Sequence, residues 1–329
     1  MRRATLILAI LYLLLLVIGA ALMHTRLNSH WLITVFLFSP RWVVALPLLL
    51  LVPLTLLVRW RLTPVYLIHT GLILFPILDF QLPRSPATST EATPTIRVLT
   101  CNVGGGTLDD RRLIELLREH QVDVMLLQEC TQAVADPLMG QLGWNHRQMH
   151  HVLIASPLPL SQPRILGRQP RANFNAVAAI GCQLTLPQGD RIQLASIHLP
   201  TFRPALEKIQ NFDFQHGPDA IDRLGQTRRG ISMRVAEAVG DVNFPTILAG
   251  DFNVPVESVF YRDYWSPYQN AFSIAGSGLG YTKYTRFHGI RIDHILADKN
   301  WDVLSAQVGP DLGGDHRPVI AELASRSRP

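Results

Sequence analysis

The chain has 329 residues, 48% of them hydrophobic, and a formal net charge of +5. Residues 1–84 hold seven Arg and one Asp, so the positive charge lies there and residues 85–329 carry −1. That near-neutral balance argues against a domain whose main task is gripping nucleic acid. The three cysteines, Cys101, Cys130 and Cys182, are too few and scattered for a disulfide framework or a structural zinc site.

In chain order, "ATLILAILYLLLLVIGAALM" (4–23) contains no charge and is long enough to span a bilayer. "WVVALPLLLLVPLTLLV" (42–58) and "PVYLIHTGLILFPILDF" (64–80) are two further apolar runs near the minimum spanning length. Together they predict a transmembrane anchor over residues 1–81 with about three helices. Arg2, Arg3, Arg59 and Arg61 on one side outnumber Arg26 and Arg41 on the other, which places the N-terminus in the cytoplasm. Three crossings then put the rest of the chain on the extracytoplasmic side of a multi-pass membrane protein. The runs lack the internal charged pairs of a transport path, so they read as an anchor.

A stretch rich in Pro, Ser and Thr follows and reads as a linker over 82–95. Residues 96–323 suffice for one well-buried domain, with 324–329 as a tail. "TIRVLTCNV" reads as a strand and "LDDRRLIELLREHQ" (108–121) as an amphipathic helix with Leu113, Leu116 and Leu117 on one face. "VDVMLLQEC", "HVLIAS", "NAVAAIGCQLTL", "RIQLASIHLP", "TILAGDFNV", "RIDHILAD" and "PVIAEL" read as further strands, with a helix at about 225–241. Many strands with interspersed helices predict an α/β fold of two packed sheets with helices on the outer faces.

Polar residues sit where apolar strands end, the places where rigid scaffolds hold reactive groups. They are Asn102, Glu129, His198, Asp251 with Asn253, Asp293, and the pair Asp315–His316. Each alone has an ordinary reading as a turn, a cap or a structural histidine. Asp251 and Asn253 offer hard oxygen atoms on one side of a strand end, which suits a divalent cation or a phosphate-attacking water. Glu129, after an apolar run, needs a partner or a metal. Arg203, Arg228 and Arg229 read as solvated surface arginines, and His294 as structural.

The blocks "TCNVGGG", "LLQE", "SIHLP", "LAGDFNVP", "RIDHIL" and "GGDHRPV" resemble the endonuclease/exonuclease/phosphatase superfamily in order and spacing, over roughly 96–323. The resemblance implies a four-layered α/β sandwich and a divalent-metal-dependent phosphoester hydrolase using Mg²⁺, with Mn²⁺ as the alternative. It implies that Glu129, Asn102 and Asp315 hold the metal and that Asp251 orients or deprotonates the attacking water. Asn253 would hold a phosphate oxygen. His316 would contact phosphate or move a proton, with Asp293 fixing its tautomer, and His198 would stand opposite as phosphate ligand or general acid. The expected partners are a membrane and a phosphoester: a lipid headgroup, a small phosphoester or nucleic acid. The competing reading is a catalytically silent binding module, whose mark would be loss of a metal carboxylate or of the histidine. Neither is missing.

Overall fold

Four α-helices open the chain: α1 (Arg2–His24), α2 (Trp31–Phe38), α3 (Leu48–Arg59) and α4 (Val65–Leu72). The computed structural model describes residues 2–83, 94–104, 108–170 and 175–326, so most of the expected linker (84–93) and the last tail residues (327–329) lie outside the described residues. The second part runs β1 (Thr95–Asn102), α5 (Asp110–Glu119), β2 (Val124–Gln128), α6 (Gln132–Leu142), β3 (Asn145–Met149), β4 (Val152–Ser156) and β5 (Leu160–Pro170). It continues with β6 (Asn175–Thr185), β7 (Arg191–His198), α7 (Arg203–Gln210), α8 (Gly217–Gly240), β8 (Thr246–Asp251) and α9 (Val259–Arg262). The last elements are β9 (Gln269–Asn270), α10 (Ala271–Ala275), β10 (Lys283–Tyr284), β11 (Gly289–Ile290), β12 (Asp293–Ala297), β13 (Trp301–Val308) and β14 (Val319–Ser325).

The strands form two six-stranded mixed sheets, ordered β13-β14-β1-β2-β4-β3 and β5-β6-β7-β8-β12-β9, plus the small β10-β11 hairpin. Each large sheet has one parallel pair, β1 with β2 and β7 with β8. Parallel neighbours need a crossover connection, and α5 supplies the first while α7 and α8 supply the second.

Period-2 alternation sorts each strand between two cores. Val98, Val124, Leu126, Ile180, Leu194 and Ile247 pack in the core between the sheets. Leu99, Met125 and Leu127 turn outward to Leu113, Leu116 and Leu117 of α5. Ala195 and Leu248 turn outward to Ile231, Val235 and Val239 of α8. The result is two mixed sheets flanked by helices. Asp109 caps α5 by accepting from Arg112 N at 3.2 Å, as a short acid before a helix should. Helix α8 begins at Gly217, well before the expected start near 225.

The N-terminal part departs from expectation. The predicted run 64–80 is broken into α4 and a π-helical turn at Ile73–Ile77 that contains Pro76. Proline lacks the N–H a helix interior needs. The apolar helix Val65–Ile77 is short of a span, which takes about 20 residues. Arg3–His24 and Arg41–Leu62 are long and apolar enough to cross a membrane by length and composition.

These helices are also fastened to the globular part. Buried Arg41 pairs with buried Glu257 and donates to Ile77 O at 2.8 Å. Arg291 pairs with Asp79, and Arg262 donates to Met23 O at 3.2 Å and Thr25 O at 2.8 Å. Phe38 of α2 packs edge-on against Phe202, and Gln81 bridges to Gly278.

Candidate active site

The parallel strands of both sheets bring their C-terminal ends to one region, which is why apolar runs ending in polar residues converge. Asn102 closes β1, Glu129 follows β2, His198 closes β7 and Asp251 closes β8. Strand β12 runs antiparallel to β8 and starts there, with Asp293 opposite Asp251, while His198 is opposite Asp251 on the other side. Beneath them Gln128 of β2 donates to Ser196 Oγ of β7 at 3.1 Å, tying the two sheets together. His316 enters from the loop before β14 and is bridged to Lys283.

Asp251 is the hub. Its Oδ2 accepts from Asn102 Nδ2 at 3.0 Å, and Asn102 Nδ2 also donates to Glu129 Oε1 at 3.1 Å. Asn102 Oδ1 accepts from Gly104 N at 3.0 Å. His316 Nε2 lies 3.9 Å and His198 Nε2 lies 4.0 Å from the same Asp251 oxygen. Those gaps are too long for hydrogen bonds and leave room for a bridging oxygen. His198 Nε2 is 3.6 Å from Glu129 Oε1. Asp251 Oδ1 accepts from Asn253 N at 2.8 Å, and Asn253 Nδ2 donates to Leu199 O at 3.0 Å. Glu129 and Asn253 both hold positive φ, 52° and 53°, conformations that cost energy in non-glycine residues and cluster at functional sites.

Behind His316, its Nδ1 donates to Asp293 Oδ2 at 2.8 Å. Burial disfavours the imidazolium, but the Asp293 charge and hydrogen bond outweigh it and hold His316 at about 9. Burial, reinforced by the Asp293 charge, raises Asp251 to about 7. Arg228, wholly buried on α8, is lowered to about 9 by burial while Asp251 pulls it up. It donates to Phe252 O at 2.7 Å and lies over the Phe202 ring. The expectation of a solvated arginine fails at this position, because α8 turns it inward under the hub.

The acids fit a divalent cation. Asp251, Asp293 and His316 bring ligand atoms within 4.8 Å of one another and form a candidate metal triad. Among the described residues, Asp293 Oδ1 is a buried atom with no hydrogen-bond partner. Buried carboxylates lacking partners are costly unless a cation or proton neutralises them, and an oxygen-rich set suits Mg²⁺ or Mn²⁺.

The remaining expected residues lie at the rim. Glu129 is 44% exposed and opens the site to solvent. Asp315 is half-exposed; burial opposes its ionisation, but Lys283 binds it and holds its pKa below the usual carboxylate range. Its Oδ1 is 3.9 Å from His316 Nε2. Arg203, exposed and held by Glu207, feels the charges of Asp315 and Glu129, so it stands near the mouth. Arg229 pairs with Asp263 away from these groups. His294 is buried, with Nε2 donating to Val254 O at 2.9 Å and Nδ1 accepting from Asn270 Nδ2 at 3.2 Å. The three thiols are buried and free, and burial pushes Cys130 and Cys182 up to about 12.

The sequence reading missed His151. Its Nε2 lies 2.9 Å from His198 Nδ1, and the rings meet edge to face. The available signal was a histidine just before the apolar strand "VLIAS", which pairs antiparallel with the strand leading to Glu129.

Two mixed sheets flanked by helices, with acids and histidines gathered at the strand ends, define the endonuclease/exonuclease/phosphatase class of fold. Residues 99–316 match the Endonuclease/Exonuclease/phosphatase family, and the chain belongs to it. Among solved structures it is similar to the human Nocturnin catalytic domain with bound sulfate anion, at 19% identity and TM-score 0.54 over 74% of this chain and 100% of that one. It is similar to a humanized D. rerio TDP2 at 17% identity and TM-score 0.54, over 70% and 98% of the two chains. It is also similar to a family protein from Bacteroides thetaiotaomicron at 17% identity and TM-score 0.53, over 71% and 98%. At these identities the likeness is one of fold. No curated protein matches the sequence.

These matches overturn the expected multi-pass membrane localisation with an extracytoplasmic domain. The globular fold shared with Nocturnin and TDP2 covers 70–74% of the chain and dominates it, and the third expected span is broken.

Proposed function

We propose that residues 96–323 form the catalytic domain of a Mg²⁺-dependent phosphoester hydrolase. The observation that carries this reading is the convergence on one Asp251 oxygen of Asn102, His198 and His316, with Glu129 and Asp293 alongside.

In this reading Glu129, with Asn102 beside it, would hold the cation at the edge of the Asp251–Asp293–His316 cluster. His316 keeps its own proton there and is not a ligand, and Asp315 adds charge from the rim. A bound cation neutralises charge building on the phosphoryl oxygens and eases departure of the leaving alkoxide. Asp251, poised by burial near neutrality, orients the attacking water and draws on its proton. Asn253 contacts a phosphate oxygen. His316, kept cationic by Asp293, offers Nε2–H to the phosphate, and His198 faces it from the opposite side. Arg203 at the mouth meets further negative charge on the substrate.

The near-neutral domain favours a small or lipid phosphoester over polymeric DNA, although D. rerio TDP2 has been solved with a single-strand DNA product. The test incubates the full chain with Mg²⁺ and plasmid, a short single strand, bis-p-nitrophenyl phosphate or phospholipids, with His316→Ala as control. Hydrolysis should disappear in EDTA, return with Mg²⁺ or Mn²⁺, and be absent in the control. Full activity in chelator, or hydrolysis of none of the four with metal, overturns the proposal.

A further inference from the structure

Two histidines face the Asp251 hub, and different groups stand behind them. His316 has a carboxylate at its back, with Nδ1 donating to Asp293 Oδ2 at 2.8 Å. His198 has a second imidazole there, with His151 Nε2 at 2.9 Å from its Nδ1. The difference matters because a hydrogen bond to one ring nitrogen decides which proton the other carries.

The direction of the His151–His198 bond follows from what lies in front. His198 Nε2 faces Glu129 Oε1 at 3.6 Å and Asp251 Oδ2 at 4.0 Å. Both are acceptors when ionised, so a bare nitrogen lone pair aimed at them is repelled and an N–H is favoured. With Nε2 protonated and Nδ1 bare, His198 accepts at Nδ1 and His151 Nε2 is the donor. The rings meet at 84° with centroids 5.0 Å apart, so the donor lies edge-on to its acceptor.

The backbone holds both partners to the same frame. Cys130 N, one residue after Glu129, donates to His151 O at 2.9 Å, so His151 is tied to the turn that presents Glu129. Buried Gln169 donates to His198 O at 2.7 Å, fixing the end of β7.

We propose that His151 is a positioning residue that locks His198 in the Nε2–H tautomer, making it a neutral hydrogen-bond donor to the substrate's phosphoryl or leaving oxygen and not a base. The two histidines then divide the work: His316 brings charge, and His198 brings a directed N–H without charge. This inference rests on the phosphoester-hydrolase reading for its substrate, but the tautomer itself does not depend on turnover.

The test uses the full chain with bis-p-nitrophenyl phosphate and Mg²⁺, and measures kcat and KM separately. His151→Ala should lower kcat by about tenfold to a hundredfold, as loss of an orienting outer partner typically does, with a smaller change in KM. His151→Gln, whose amide can still donate, should restore most of the rate. The double variant His151→Ala/His198→Ala should be no slower than His198→Ala alone, because the two act as one unit. In parallel, ring ¹⁵N spectra of histidine-labelled protein, assigned with His198→Ala, should show His198 protonated at Nε2 and bare at Nδ1. An unchanged kcat in His151→Ala, additive losses in the double variant, or a proton on His198 Nδ1 overturns the proposal. A wild type that hydrolyses nothing would refute the hydrolase reading, while the spectra still decide the tautomer.

Discussion

Asp293→Asn removes the charge behind His316 while keeping the side chain's volume. His316 stands at about 9 against an ordinary 6.5, despite burial that pulls it down. That gap corresponds to about 3 kcal/mol of preference for the imidazolium, and Asp293 is its largest favourable source. If the cationic ring binds the phosphate in the transition state, removing that preference slows the reaction roughly 10²- to 10³-fold. The sign sets the pH window. A raised histidine is protonated up to about 9 in the wild type, whereas in the variant it loses its proton as pH rises through the ordinary range. The rate deficit should therefore be small near pH 6, about 30-fold at pH 8, and full only above pH 9.

Stability should fall as well. Asp251 is raised to about 7 by burial and by the neighbouring Asp293 charge, and Asp293 Oδ1 is buried with no partner among the described residues. Neutralising Asp293 relieves that repulsion, but it also removes the partner that holds buried His316 at about 9. That partner contributes a stabilisation of up to about 3 kcal/mol, full below pH 6.5 and lost as pH rises through 9. At pH 6 the metal-free variant should therefore unfold at a lower urea concentration than the wild type. The assay pairs kcat on bis-p-nitrophenyl phosphate at pH 6 and 8 with urea unfolding in EDTA. A variant that keeps wild-type kcat at pH 8, or loses rate equally at both pH values, refutes the assigned role of the pair.

At Gly250, φ is +147° and an added Cβ would lie 2.0 Å from Ile197 O. Gly250→Ala should therefore cost roughly 2 kcal/mol or more and abolish activity, and a wild-type urea midpoint would contradict this. Arg41→Met leaves Glu257 charged and buried; losing one partner of such a pair costs roughly 3–5 kcal/mol. Arg41→Met/Glu257→Leu should recover much of that loss in urea unfolding, and a neutral single variant would mean the pair holds nothing. His294 is held at about 4 by burial, so its contribution to stability is complete above pH 6.5 and is lost as pH falls toward 4. Stability in EDTA should drop by up to about 3 kcal/mol across that window, and His294→Gln should flatten that part of the profile.

How far the sequence could be read depended on the range of each interaction. Asn102, Glu129, His198 and Asp251 were visible because each closes an apolar run, and strand periodicity is local. His151 was invisible because its partner is 47 residues away in sequence and meets it only through β4 and β7. Arg228 sits in a helix with charged residues on several sides, so nothing local marked it as the one turned under Asp251. In the N-terminal part, composition registers how long an apolar run is, not where it breaks. It also could not reveal docking: Glu257 lies 216 residues from Arg41, and Arg291 lies 212 from Asp79.

The site itself is a consequence of register. His198, Asp251 and Asp293 occupy one row across β7, β8 and β12, fixed by a parallel ladder on one side and an antiparallel ladder on the other. A slip of one residue in β8 would turn Asp251 to the opposite face and leave His198 and Asp293 with no carboxylate between them. Gly250 protects that register because only a residue without Cβ lets β8 approach the Ile197 carbonyl so closely. The burial and carboxylate crowding that raise Asp251 are thus built by backbone pairing and not by any flexible side chain. That is why the row can sustain a buried excess of negative charge, and why a cation is the group best suited to relieve it.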